Sequence, residues 1–134
     1  MPKLTSQQVK DLANNFLVLA QSIGDFRERN WNNLSKLDNQ RLGNLQWSVL
    51  NSVEDILAFS TIIIMDDIQG SLTKIKKVTS EIKTTVKTLK DIQKGISIAA
   101  AAVTLGAAII SRNPQAIVDA IKGLVKAVTD GGEA

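Results

Sequence analysis

Two serines stand three residues ahead of a lysine, in Ser71-Leu72-Thr73-Lys74 and Ser80-Glu81-Ile82-Lys83. On a helix this spacing places hydroxyl and amine on one face. S-x-x-K is also the nucleophile motif of penicillin-interacting serine enzymes, which carry further signature elements and a fold of their own. Here the pattern arises twice because Ser, Thr and Lys crowd one stretch, and it is read as composition. The acidic pairs Glu54-Asp55 and Asp66-Asp67 are the other candidates. Adjacent residues on a helix point about 100° apart, so neither pair forms an acid/base dyad by itself. Helix caps and ion pairs account for them.

The composition removes most other chemistry. The chain has no His, which takes away the commonest acid/base group and the Glu-x-x-His pairs of di-iron bundles. It has no Cys, so disulfides and thiolate metal sites are absent. Gly43 and Gly70 are isolated, and no glycine-rich phosphate loop occurs. No catalytic residue, metal ligand, cofactor site or small-molecule substrate is expected, and the protein is read as not an enzyme. Nucleic acid is a poor partner as well. Residues 68–94 carry seven lysines against Glu81 and Asp91, a net of +5, but no Arg and no aromatic. Base reading uses Arg, Asn or Gln in a groove, or aromatic stacking. Trp31 and Trp47 are expected as core anchors.

The elements that position these residues are helical. Five aromatics in 134 residues, with apolar positions recurring at three and four, argue for an all-α chain. Thr5 and Gln8 fit a capping box, and Val9, Leu12, Phe16, Leu19 and Ile23 make one apolar face. This predicts a helix over 6–23 that stops at Gly24. A second helical stretch lies within 26–66. Its apolar line slips in phase between Leu37 and Leu42, near Gly43. One helix kinked at 38–44 and two separate helices both fit. Residues 66–71 read as a turn. Ile68, Leu72, Ile75, Thr79, Ile82, Val86, Leu89, Gln93 and Ile96 then alternate at four and three, a heptad seam that predicts one continuous helix with a partner. Residues 31–67 carry a net of −3, so an antiparallel hairpin of 26–66 with 68–96 would set Glu54 and Asp55 opposite Lys83. Asn113-Pro114 is a strong helix start, and Ile117, Ile121, Leu124 and Val128 give a last amphipathic helix over 114–129.

Between Lys94 and Arg112 run seventeen uncharged residues, GISIAAAAVTLGAAIIS. As a helix they span about 25 Å, just short of a ~30 Å hydrocarbon core. Six strongly apolar residues would contribute about −2 to −4 kcal/mol to insertion, which is marginal. Small residues at Ala100, Thr104 and Ala108, and at Ala102 and Gly106, suit close helix approach in water or in lipid. Either a buried central helix or a membrane-inserting one is consistent with the segment.

The expected fold is an elongated antiparallel bundle of four to five helices with a central heptad-patterned hairpin. It forms one domain over residues 1–130, followed by a disordered tail, 131–134. Two roles follow. One is a non-catalytic interaction or assembly module, binding a protein partner or a second copy through a seam of Ile75, Ile82, Val86 and Leu89. The other is a soluble, conditionally inserting, pore-forming-like protein. Its Lys76, Lys83, Lys87, Lys90 and Lys94 would lean on anionic lipid. Its Ile98, Ala102, Leu105, Gly106 and Ile109 would enter the bilayer. The first fifteen residues lack the apolar run of a secretory signal. A cytoplasmic location is expected, with peripheral membrane attachment or export without a signal as alternatives.

Overall fold

The computed structural model describes residues 3–130; the expected tail, 131–134, lies outside the described residues. The described residues form five α-helices: α1 (Ser6–Arg29), α2 (Lys36–Ala58), α3 (Ile68–Thr85), α4 (Ile92–Ile109) and α5 (Pro114–Thr129). The all-α expectation holds.

α1 starts where the capping box places it. The Gln8 N–H donates to Thr5 Oγ1 at 3.1 Å, and the Thr5 N–H donates to Gln8 Oε1 at 2.8 Å. It does not stop at Gly24. Phe26 extends the apolar face one turn further and is fully buried. Burying a Phe is worth about 1.5–3 kcal/mol, against about 1 kcal/mol for an interior Gly. The helix ends instead at Asn30, whose Nδ2 donates to the Phe26 carbonyl at 2.9 Å.

α2 is a single helix, without a break at 38–44. The interruption comes earlier, in a 3₁₀ turn at Trp31–Asn33, after which Ser35 caps α2 by accepting from the Asp38 N–H at 3.0 Å. Trp31 and Leu34 belong to the element before α2, and Leu37, though on α2, is exposed and off the buried line that starts at Leu42, which is why the apolar phase slips. Gly43 faces the Arg27 guanidinium, and Arg27 stacks over the Trp31 ring with its Cζ 5.4 Å from the centroid.

The heptad stretch is two helices, not one. α3 ends at Thr85, and α4 begins at Ile92 under an Asp91 cap that accepts from the Lys94 N–H at 3.1 Å. No Gly or Pro marks the break. Carbonyls released there find donors on α1: Arg29 Nη1 donates to the Lys87 carbonyl at 3.0 Å, and Asn30 Nδ2 to the Leu89 carbonyl at 3.1 Å. The bond to the Leu89 carbonyl is partly buried, where a carbonyl needs such a partner, and the bond to Lys87 is exposed; both donors come from the end of α1 and its cap.

The hairpin of 26–66 with 68–96 does not form either. α1 packs on α2 and α3, α4 packs on α2 and α5, and α3 packs on α5. These contacts close a ring in the order α1, α2, α4, α5, α3, and α1 and α4 also touch across it. α2 and α3 scarcely meet, so Glu54 and Asp55 do not face Lys83. The connection over residues 59–67 explains this. Nine residues can reach about 30 Å, enough to pass a helix of about 10 Å diameter. Ile63 and Met65 pin that connection into the core.

Packing contacts give the directions. Phe26 lies over Gly95 and Phe16 over Gly106, so α1 and α4 run antiparallel. Residues 80–85 and 128–129 line one cleft, which places the C-terminal ends of α3 and α5 together and makes these two helices parallel. One core cluster draws on all five helices.

Candidate functional site

The seam residues divide. Ile75 and Ile82 are fully buried on α3, in the common core. Val86 is the C-cap residue of α3 and is buried, and Leu89 lies half-buried in the connection to α4. The four residues thus do not form one exposed stripe on a continuous helix. Their packing is internal.

The inserting residues also face inward. Ile98, Ala102, Leu105, Gly106 and Ile109 are all buried, and Gly106 carries the close approach of Ser52 and Phe16. Among the described residues α4 is the one helix long and apolar enough to cross a membrane, and half of it is buried in the bundle. Its outer side is small and mildly polar, with Ser97, Thr104 and Ala107 exposed. Thr104 folds its hydroxyl back onto the Ala100 carbonyl at 3.1 Å. Of the lipid-facing candidates, Lys76, Lys83, Lys87 and Lys90 are exposed and Lys94 is half-buried.

A different set of lysines is brought together by the fold. Between α3 and α5 runs an open groove of about 620 Å³. Val78 and Ile121 form its floor, and Lys74 and Lys77 from α3 face Lys122 and Lys126 from α5 across it. Glu81 is the one acidic residue in the lining. In the sequence the α3 lysines fall in the basic segment 68–94, and Lys122 and Lys126 stand apart on the last helix, off its apolar line of Ile117, Ile121, Leu124 and Val128. Nothing in the sequence joins the two sets, because the parallel pairing of α3 with α5 is a tertiary fact. Ser71 also lines this groove and is buried, while Lys74 and Lys83 lie on the exposed side of α3.

The tryptophans overturn their expected role. Trp31 is 54% exposed and Trp47 66% exposed, so neither anchors the core. Trp47 lies on α2 opposite the buried line of Leu42, Val49 and Ile56. Leu57, in the last turn of α2, and Phe59, its C-cap residue, are exposed as well. The second half of α2, residues 42–58, holds Glu54 and Asp55 and no Lys or Arg, while Lys36 and Arg41 stand in its first half. Trp47 and Glu54 are two turns apart on one side of α2, and Leu57 follows Glu54 by three.

No family model matches the chain, and no curated protein or solved structure is significantly similar to it. Among the described residues the one ion pair is Arg29 with Asp25, at 3.0 Å on α1. The groove lysines and the α2 acids leave each other unpaired within one molecule.

Proposed function

We propose that the protein is a non-catalytic assembly module, a helical bundle that works by presenting surfaces to a protein partner. The observation that carries this reading is the exposure of Trp47 and Leu57 on α2, with Glu54 between them and Phe59 at the C-cap, on a helix whose opposite side buries Leu42, Val49 and Ile56. Trp is the residue type most concentrated at binding hot spots. Apolar side chains set among polar neighbours such as Asn44, Asn51 and Glu54 suit a surface that meets a partner and remains soluble without one. A composition without His or Cys supports a role that needs no acid/base or thiol chemistry. A cytoplasmic location belongs to the same proposal.

A second reading is favoured by one feature, the length and apolar character of α4. In that reading the bundle opens on a bilayer and α4 inserts. Vesicle flotation of the purified protein, with neutral and anionic lipids at low and high salt, separates the two. The assembly module stays at the bottom of the gradient at high salt. Adsorption through Lys76, Lys83, Lys87 and Lys90 at low salt is compatible with it, since such contacts are screened. Flotation that survives high salt refutes the assembly module and supports insertion.

A further inference from the structure

We propose that the lysine-rimmed groove between α3 and α5 receives the acidic, apolar side of α2 from a second copy of this chain, so that copies join head to tail. The proposal rests on the assembly reading and names its partner.

Three observations converge. The groove has an apolar floor, Val78 and Ile121, with Val125 exposed at its edge and four lysines against Glu81. This is the shape that takes a helix ridge laid along it. The second half of α2, residues 42–58, carries the complementary set: Trp47 and Leu57 to fill an apolar floor, Glu54 between them, Asp55 beside it, and no Lys or Arg. Finally, the two surfaces cannot meet within one molecule. In the ring, α1 or α4 stands between α2 and each of α3 and α5. Unpaired complementary surfaces on opposite sides of one molecule make a heterologous contact, which grows into rings or filaments and does not close as a two-fold dimer. The lysines set orientation and association rate more than affinity, and burial of Trp47 and Leu57 supplies the affinity.

Sedimentation velocity over a concentration series, at low and high salt, tests this. The wild-type chain should associate with concentration, pass beyond dimer, and weaken as salt rises. Val125→Glu alters only the groove and Leu57→Glu only the α2 side; both positions are exposed, and far-UV circular dichroism checks that each variant folds. Each alone should weaken association about tenfold or more. Mixed in equal amounts, the two variants retain one productive contact and should give a heterodimer and nothing larger. A wild-type chain that stays monomeric throughout overturns the proposal, as does an assembly indifferent to both substitutions. A monomeric chain that binds anionic vesicles, with Val125→Glu abolishing that binding, overturns it in favour of lipid in the groove. A monomeric chain that also stays off vesicles overturns it and leaves the assembly module to a different protein. Salt-resistant flotation removes the assembly reading itself.

Discussion

Thr79 sits buried on α3 with a hydroxyl that meets no hydrogen-bond partner. Other helical hydroxyls in this chain turn back onto the carbonyl four residues earlier, as Ser22 does to Val18 at 2.8 Å and Thr129 to Val125 at 2.9 Å. An unsatisfied buried hydroxyl costs about 1–3 kcal/mol, so Thr79→Val should stabilise the fold by an amount in that range. Urea denaturation measures it, and a destabilised variant would mean that Thr79 has a partner in solution. Two glycines on later helices should respond in opposite directions. A Cβ on Gly95 would run into the Phe26 ring, whereas one on Gly123 meets open space. Gly95→Ala should lose about 1–3 kcal/mol to overpacking, and Gly123→Ala should gain up to about 1 kcal/mol from helix propensity. Thermal melts of the pair decide whether the α1–α4 contact is as close as Phe26 and Gly95 imply. The tryptophans teach the same lesson about context. Side-chain type marked Trp31 and Trp47 as core residues, but position on the element decides burial, and both fall outside the packed faces.

Helix starts depend on neighbours in sequence, and they were legible. Thr5 with Gln8, and Asn113 with Pro114, carry their partners within three residues. Asn113 Oδ1 accepts from the Gln115 and Ala116 N–H groups at 3.1 and 3.3 Å. Asn113→Ala should therefore cost about 1 kcal/mol, a local loss at the start of α5. The break between α3 and α4 was not legible, because what stabilises it is 58 and 59 residues away. The heptad runs through Val86 and Leu89 without a slip, and only α1 reveals why the helix ends there. Arg29 and Asn30 take up the carbonyls of Lys87 and Leu89, and Asn30 ties its own helix end in the same bond set. Asn30→Ala leaves two carbonyls without that donor, one of them in the connection to α4. It should cost about 1–3 kcal/mol. Hydrogen exchange should also rise selectively at residues 86–91. Uniform loss across all five helices would instead make Asn30 a general stability residue and not the anchor of that turn. Pairing partners were hidden for a related reason. Charge suggested that the acidic 31–67 and basic 68–94 would lie together. The nine-residue connection carries α3 to the other side of α1, and the opposite charges end on separate surfaces.

At the scale of the whole molecule, α4 is the element on which the two functional readings divide. Its hydropathy alone could not decide, since a helix at the centre of a bundle and a marginal membrane helix share one composition. The energies are unequal. Insertion would return about 2–4 kcal/mol, while opening a core shared by five helices costs a large part of a stability of about 5–15 kcal/mol. Closed in water, α4 has no net reason to leave. Leu105 tests this balance, because it is fully buried on α4. Leu105→Ala should remove about 2–5 kcal/mol of stability. If α4 were held back only by its packing, that loss would tip it into the bilayer, and the variant would float at high salt where the wild type does not. The assembly module predicts a different result: a lower melting temperature, a helical circular dichroism spectrum at low temperature, and no salt-resistant flotation. Restraint by the core and mere residence in it thus give opposite answers from one substitution. The answer assigns α4 to structure or to function without requiring that the partner be known.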